Sequence, residues 1–362
     1  MKARQELPAD IRELLQKVIE LNGSDLHLSV DSPPLVRIHG ELEMFHMPRL
    51  APEDVRALLL PLLSERQQRS LEDKSSVDLA YAFGEDTRFR VNIFYQRGAL
   101  AAVLRRLPAL KLSLEALGVP ASVNGFAGLK DGLVLVTGPT GSGKTTTLAA
   151  IIDLINHNQS CHIITIEDPI EFVHANRRAL VTQRELHSDV PSFAAALRDS
   201  LREDPDVILV GELRDLDTMR MAIMAAETGH LVFSTLHSRD AVSSLNRMVG
   251  VFPVAEQAQI RQQLSGTLKG VVSQRLLRSL DGNGRHAAIE VMKVTTGIAN
   301  LIRNNKVEQI YSLIEMGGRE GMQTMEQSLL KLFAGGLIER ETALRMAKSE
   351  KALLSRLEEL DD

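Results

Sequence analysis

Hydrophobic and polar positions in the first third of the chain follow the spacings of a small α+β domain. Apolar side chains recur every three or four residues over 9–22, which predicts a helix, and a second helical spacing covers about 52–73. Strand-like stretches occur at 25–30, 35–38, 77–83, 88–95 and 99–107. The last three predict an antiparallel meander that turns first at 84–86. We therefore expect an N-terminal α+β domain over 1–108.

Continuous apolar runs replace this pattern after residue 120. Such runs predict strands buried on both faces of a parallel sheet, at 132–138, 161–168, 206–212 and 230–237. Helical spacings lie between them, at 143–157, 191–203 and 215–227. This alternation predicts a doubly wound α/β core over 121–294, preceded by a linker with a short helix at 109–120. Beyond the core the spacing is helical only, which predicts a C-terminal helical region over 295–362.

Composition excludes several classes of protein. The 362 residues suffice for about two domains, and a 44% hydrophobic and 25% charged content is typical of a soluble globular chain. A net charge of −5 and 4% aromatic residues without Trp disfavour a nucleic-acid partner. The single cysteine, Cys161, excludes an internal disulfide. With no secretory signal, and no apolar run near the roughly 18 residues of a membrane span, we expect a cytoplasmic protein without direct membrane insertion.

The segment GPTGSGKTT follows one predicted buried strand and opens a helical spacing. It fits the pattern G-x-x-x-x-G-K-[ST], in which glycines let backbone N–H groups face phosphates and the helix dipole adds positive charge. We expect Lys144 to reach the β- and γ-phosphates of ATP and Thr145 to hold Mg²⁺. The alternative is an ordinary glycine-rich turn. The expected nucleotide-binding residues are Gly138, Thr140, Gly141, Ser142, Gly143, Lys144, Thr145 and Thr146.

Acidic residues bracket the strand predicted at 206–212. Asp206 and Glu212 are six residues apart, about 20 Å along a strand, so only one can serve a γ-phosphate. Ligands bind at the carboxyl ends of parallel strands, which selects Glu212 as a catalytic and Mg²⁺-binding residue and leaves Asp206 as structural. The segment TIEDPIE also follows a buried strand. Its candidates for metal or water contacts are Glu167, Asp168 and Glu171, and the alternative is a solvated Asp-Pro turn.

Histidines bracket the next predicted strand. His237 is expected at the same sheet edge as Glu212, where it can contact a γ-phosphate, and His230 at the opposite end. The alternative is that either histidine is structural. In the first domain, at least five arginines lie on two adjacent strands, with Arg88 and Arg90 on one face. An arginine finger and a solvated sheet face both fit that spacing.

Four motifs thus stand in order along the chain: GPTGSGKTT, TIEDPIE, DPDVILVGELRD and AAETGHLVFSTLHS. Together they resemble the Walker A, Asp, atypical Walker B and His boxes of the ATPases of type II secretion and type IV pili. The segments GSDLHLS, FRVNIFYQRG and GMQTMEQSL make the chain more similar still to the pilus retraction ATPases, the PilT/PilU group.

The resemblance implies a P-loop (RecA-like) ATPase core of the α/β class, with a PAS-like N-terminal α+β domain and a C-terminal helical extension. It implies a homo-hexamer at the cytoplasmic face of the inner membrane, with ATP between the two domains. The motor would power pilus retraction and twitching motility through an inner-membrane platform protein, with a paralogous pilus ATPase as a further partner. The catalytic residues implied are Glu212, Glu171, His237, His230, Arg90, Arg105 and Arg97.

One segment departs from that group. The retraction ATPases carry a late box that reads AIRNLIRE, whereas this chain has GIANLIRN at 297–304, with Ala299 in place of an arginine and Asn304 in place of the acid. An accessory or assembly-side pilus or secretion ATPase, or an ATP-gated regulatory subunit with weak hydrolysis, is therefore an alternative to the retraction motor. A nucleic-acid translocase is a third hypothesis, which the charge of −5 disfavours.

Overall fold

The chain divides into two compact units, each with its own hydrophobic packing. The computed structural model describes residues 10–38, 40–84, 87–107, 113–282, 284–348 and 350–361. Contacts within the chain define two units: Met1–Ala109 with Pro169–Phe172, and Leu110–Asp168 with Val173–Asp362. Among the described residues, no helix combines the length and the apolar character needed to cross a membrane.

The first unit is a single antiparallel sheet packed against helices. Its helices are α1 (Ile11–Glu20), α2 (Pro52–Leu59) and α3 (Glu65–Lys74). Its strands are β1 (Asp25–Leu28), β2 (Leu35–Ile38), β3 (Glu41–Met44), β4 (Ser76–Phe83), β5 (Thr87–Gln96) and β6 (Ala99–Leu107). The sheet order is β3-β2-β1-β6-β5-β4, and α1 buries its apolar stripe against it.

The predicted meander is confirmed, because β4 pairs with β5 and β5 with β6, both antiparallel. Its first turn falls partly on residues 85–86, outside the described residues. The helix predicted over 52–73 is instead two helices. Pro61 cannot donate the next helical hydrogen bond, and Ser64 caps the second helix by accepting a hydrogen bond from the Gln67 N–H.

The second unit is built on a seven-stranded sheet with the order β13-β12-β7-β11-β10-β8-β9. Its strands are β7 (Gly132–Thr137), β8 (His162–Glu167), β9 (Leu180–Glu185), β10 (Val207–Val210), β11 (Leu231–Leu236), β12 (Leu268–Arg278) and β13 (Arg285–Lys293). The strands from β12 to β9 pair in parallel, and β13 joins β12 in an antiparallel hairpin.

Helices cover both faces of this sheet. They are α4 (Asn124–Ala127), α5 (Lys144–Asn158), α6 (Phe193–Ser200), α7 (Leu216–Glu227), α8 (Ala241–Gly250) and α9 (Gln257–Thr267). Leu133 and Leu135 of β7 pack into the core with α6 to α9, while Val134 and Val136 pack with α5 on the other face. This confirms the doubly wound α/β core and explains the uninterrupted apolar strands.

The remainder of the second unit is helical. Its helices are α10 (Thr296–Arg303), α11 (Ile310–Met316), α12 (Met325–Ala334), α13 (Arg340–Met346) and α14 (Glu350–Asp361). Leu329, Leu353 and Leu357 pack with Leu277 and Ala288 of the β12–β13 hairpin. The short helix predicted in the linker is wrong for the described residues 113–120. They form turns, because the chain adopts φ 72 at Gly118 and a proline follows two residues later.

Candidate active site at the carboxyl edge of the sheet

The parallel strands of the second unit bring polar residues to one edge. Thr137 of β7 pairs with Leu236 of β11, so the residues that follow these strands, Gly138 and His237, lie at the same edge. Strand β10 runs parallel to β11 and ends at Val210, two residues before Glu212. This edge is where ligands bind in open α/β sheets.

The phosphate-loop sequence forms the turn between β7 and α5. Gly138 adopts φ 148 and Gly143 φ 88, conformations that disfavour any residue with a Cβ atom. The Lys144 side chain is buried, and its Nζ donates hydrogen bonds of 3.0 Å to the carbonyl oxygens of Gly138 and Pro139. The lysine is therefore held across the mouth of the loop at the start of a 15-residue helix.

One hydroxyl in this loop points to an anionic ligand. Ser142 Oγ is buried and has no hydrogen-bond partner among the described residues. Such a group costs roughly 1–3 kcal/mol unless a ligand satisfies it. Thr145 and Thr146, in the first turn of α5, are exposed and partly exposed. The Thr145 hydroxyl and the Glu212 carboxylate are the hard oxygen donors that Mg²⁺ prefers, so the residues present fit that ion.

Glu212 and His237 contact each other. Glu212 Oε1 lies 3.4 Å from His237 Nε2, and Glu212 Oε2 accepts a 2.8 Å ion-paired contact from Arg214 Nε. The other ring nitrogen of His237 lies 3.5 Å from Thr140 Oγ1. A chain of polar contacts therefore runs from the carboxylate to the phosphate loop. The predicted grouping of Lys144, Glu212 and His237 at one edge is what the structure shows.

The remaining predicted residues of the second unit lie elsewhere. His230 precedes β11, at the edge opposite His237, and its Nδ1 lies 3.0 Å from the Ala225 carbonyl oxygen. Asp206, at the same end of β10, accepts a 2.8 Å hydrogen bond from the His162 N–H, as expected of a structural residue. The single chain thus places His230 away from the phosphate loop, and its catalytic role stays a prediction.

The acidic segment after β8 divides between the two units. Glu167 is buried at the end of β8, where Oε1 accepts hydrogen bonds from Thr165 Oγ1 at 2.6 Å and Gln183 Nε2 at 3.1 Å. Glu171 belongs to Pro169–Phe172, which groups with the first unit. Its role also stays a prediction.

The predicted arginines lie in the first unit. Arg90 and Arg105 are direct cross-strand partners, and Arg97 adopts φ 52 in the two-residue turn that joins their strands. Arg105 Nε donates a 2.8 Å hydrogen bond to Asp25 Oδ1. Burial acts to raise the pKa of Asp25, but hydrogen bonds from Arg105 and Ser24 outweigh it and hold that pKa below its ordinary value.

A cavity of about 800 Å³ adjoins the phosphate loop within the second unit. Pro139–Ser142 and His237–Asp240 line one side, and Arg345–Lys348 line another. Glu290 of β13 forms part of the wall, where its Oε1 accepts a 2.8 Å hydrogen bond from the Ala241 N–H. Burial raises the pKa of Glu290 to about 7, although the hydrogen bond from Ala241 acts to lower it.

Sequence reasoning missed several residues of this site, three of which matter for its chemistry or geometry. They are Arg214, beside Glu212; Gln274, on β12 against the phosphate loop; and Glu290, in the cavity wall. The signal for Gln274 was present, because polar residues follow the apolar pair Val271–Val272 just as they follow the other core strands.

The comparisons with known proteins agree with this geometry. The model of the family described as type II/IV secretion system protein matches residues 2–328. The chain belongs to this family. It is 48% identical over 339 residues to the type IV pilus retraction ATPase PilT of Pseudomonas aeruginosa, covering 94% of this chain and 98% of that protein. It is also 47% identical over 320 residues to the twitching motility protein of Neisseria gonorrhoeae, covering 88% of this chain and 86% of that protein.

Among solved structures, the chain is similar to a crystal structure of the pilus retraction motor PilT with bound ADP. The TM-score is 0.89 at 48% identity, covering 95% of this chain and 99% of that one. The predicted fold class, the predicted family and the enzyme class, an ATP hydrolase, are thereby confirmed.

Proposed function

We propose that this chain is the subunit of a homo-hexameric motor that hydrolyses ATP to power type IV pilus retraction and twitching motility. The observation that carries the proposal is that the phosphate loop with Lys144 lies at the same sheet edge as Glu212 and His237, which contact each other. The 48% identity to PilT over 94% of the chain supports pilus retraction, rather than pilus assembly, as the work of the motor.

Nucleotide binding uses the loop between β7 and α5. Backbone N–H groups within 140–146, after the turn that Gly138 opens, and the N-terminus of α5 hold the phosphates, and Ser142 Oγ gains a partner that it lacks among the described residues. Lys144 Nζ exchanges its bonds to the carbonyl oxygens of Gly138 and Pro139 for bonds to phosphate oxygens. The proposed further contacts come from Thr140, Gly141, Gly143, Thr145 and Thr146.

Hydrolysis is the attack of water on the γ-phosphorus, with cleavage of the bond to the β–γ bridging oxygen. Glu212 accepts a hydrogen bond from the water and orients it, while Arg214 fixes the carboxylate. His237 contacts the same carboxylate and can donate to the γ-phosphate. A Mg²⁺ ion held through Thr145 and Glu212 would supply positive charge to the phosphate oxygens.

The arginines of the first unit complete the proposal. Arg90, Arg97 and Arg105 are the candidates for positive charge that stabilises the transition state, as the resemblance implies. The side chains of Arg90 and Arg105 are 45% and 67% exposed, which leaves both guanidinium groups accessible to a ligand. The proposed partner is an inner-membrane pilus platform protein, and the proposed location is the cytoplasmic face of that membrane.

A gene deletion with pilus counts tests the proposal. Loss of a retraction motor gives excess surface pili without motility, whereas loss of an assembly motor gives no pili. Complementation with the wild-type gene restores motility, and complementation with Lys144→Ala does not. Lys269→Ala is the matched control, since Lys269 pairs with Asp131 at the other end of the sheet, and it is expected to restore motility. A deletion strain without pili overturns the retraction role.

An accessory ATPase with weak hydrolysis is the second candidate, and α10 favours it. Ala299 and Asn304 replace the arginine and the acid of the late box of retraction ATPases, and Asn304 Nδ2, just after the end of α10, donates to Asn300 Oδ1 at 2.8 Å. Steady-state ATPase measurements on the purified protein decide between the two. A main motor turns over ATP by itself, and an accessory subunit binds ATP with little turnover.

A further inference from the structure

Gln274 lies where β12 passes the phosphate loop. Strands β7 and β12 pair in parallel as far as Thr137 and Ser273, whose side-chain oxygens share a 2.9 Å hydrogen bond. Gln274 is therefore the first residue of β12 beyond this pairing, at the level where β7 gives way to the loop. Its side chain is buried, 3% exposed.

One side of Gln274 contacts the beginning of the loop. A Cβ atom added at Gly138 would collide with the Gln274 carbonyl oxygen. The backbone of the loop therefore begins in direct contact with β12. The φ of 148 at Gly138 is the conformation that permits this approach.

The side chain of Gln274 contacts the end of the loop. Its Oε1 accepts a 2.8 Å hydrogen bond from Thr147 Oγ1, in the first turn of α5. Its Nε2 lies 2.7 Å from the position that a Cβ of Gly143 would occupy. A single residue thus touches the glycines at both ends of the loop and the helix that follows it.

We propose that Gln274 is a positioning residue, which fixes the distance between Gly138 and the start of α5 and so keeps the loop N–H groups aimed at the phosphates. Donors that are already in place bind a phosphate without rearrangement. Loss of the contacts of Gln274 with the loop is therefore expected to reduce nucleotide affinity, although the proposed role needs no contact between Gln274 and a phosphate. The inference rests on the proposed function, since it assigns a residue to the same nucleotide site.

A double-mutant cycle on the full chain tests the hydrogen bond between Gln274 and Thr147. Gln274→Met keeps the shape of the side chain and removes its hydrogen bond, and Thr147→Val removes the other partner. Each single variant is expected to bind fluorescently labelled ADP about tenfold more weakly, about 1.4 kcal/mol. The double variant is expected to bind no more weakly than either single variant, because both substitutions break one bond.

Gln323→Met is the matched control. Gln323 is also buried and hydrogen-bonded at both ends, to the Ile289 carbonyl oxygen at 2.7 Å and to Lys331 Nζ at 2.9 Å. It is expected to lower the melting temperature as much as Gln274→Met while leaving ADP affinity unchanged. Equal loss of affinity in both glutamine variants, or additive effects in the double variant, overturns the positioning role.

The binding measurement separates this inference from the proposed function. A wild-type chain that binds ADP but does not hydrolyse ATP overturns the proposed motor function. The double-mutant cycle on ADP affinity still decides the role of Gln274 in that case. A wild-type chain that binds neither ADP nor ATP overturns both.

Discussion

Arg90 of β5 lies directly opposite Arg105 of β6 in the sheet of the first unit. Side chains of directly paired residues lie on the same face, where two like charges repel. Each guanidinium group has its own carboxylate, Asp78 at 3.9 Å from Arg90 and Asp25 at 2.8 Å from Arg105. The two carboxylates reduce the repulsion, and they differ in burial, which separates the expected effects of the two arginines.

Arg90→Ala tests the arginine finger. Because the Arg90–Asp78 pair is exposed, its loss is expected to leave the melting temperature unchanged. Removal of a charge that stabilises the transition state is expected to lower ATP turnover at least about tenfold. Steady-state turnover and thermal melting measure the two effects.

Arg105→Ala is expected to lower turnover similarly and also to destabilise the first unit. Asp25 is 7% exposed at its side chain and loses its strongest hydrogen bond, at a cost of about 1–3 kcal/mol. The neighbouring Arg106→Ala is the control for charge alone. Unchanged turnover in both Arg90→Ala and Arg105→Ala would exclude the finger role.

Glu212→Gln is expected to leave ATP binding intact and to lower turnover on the order of a hundredfold. The amide keeps the shape of the side chain but cannot accept the proton of the attacking water. Glu227→Gln, at the end of α7 on the opposite side of the sheet, is the control and is expected to behave as wild type. Ready turnover by purified Glu212→Gln protein would defeat the role given to this carboxylate.

Ser142→Ala tests the unpaired hydroxyl. The substitution removes a buried polar atom that has no partner among the residues the structure describes, so the ligand-free protein is expected to melt at a higher temperature. Affinity for ADP is expected to fall, since the hydroxyl is lost as a phosphate donor. Ser200→Ala is the matched control, because Ser200 is buried but bonded to the Leu197 carbonyl oxygen at 2.9 Å. It is expected to lower stability and leave affinity unchanged.

The raised pKa of Glu290 predicts that the stability of the folded chain depends on pH. Its pKa of about 7 lies above the value of 4.5 for an unperturbed glutamate, so the folded chain binds the proton more tightly than the unfolded chain does. The contribution of Glu290 to stability is therefore full below about pH 4.5 and is lost as the pH rises toward 7. Glu290→Gln is expected to flatten this part of the melting profile, whereas exposed Glu308→Gln leaves it unchanged. Parallel profiles for wild type and Glu290→Gln would contradict the assignment.

The elements that the sequence predicted are those whose pattern reflects burial alone. Strands β7, β8, β10 and β11 are buried on both faces and are mostly apolar, so their existence and the shared edge of Glu212 and His237 followed directly. The same argument separated Asp206 from Glu212, because strand direction decides which end meets a ligand.

The elements that the sequence missed have patterns set by neighbours far along the chain. Strand β12 carries Ser273, Gln274 and Arg275 in its centre, where they contact the phosphate loop and the C-terminal helices instead of a uniform core. Strand β9 has no fully buried residue, and β3 is exposed throughout. The position of Gln274 after an apolar pair is visible in the sequence, but its contact with Thr147 is not, since the two residues are 127 positions apart.

The cavity wall at Arg345–Lys348 lies beyond residue 328, where the family match ends. Arg275 holds the Met346 carbonyl oxygen, Glu326 holds the Lys348 N–H, and Lys348 Nζ lies 3.7 Å from Asp240, three residues past His237. A chain trimmed to the family-matched residues would thus keep the phosphate loop, Glu212 and His237 and lose one wall of the cavity beside them. Leu353 and Leu357 of the last helix pack in the same cluster as Met346 and Ala347 of this wall. A fluorescent protein fused to the carboxyl terminus is therefore expected to disturb the cavity beside the phosphate loop.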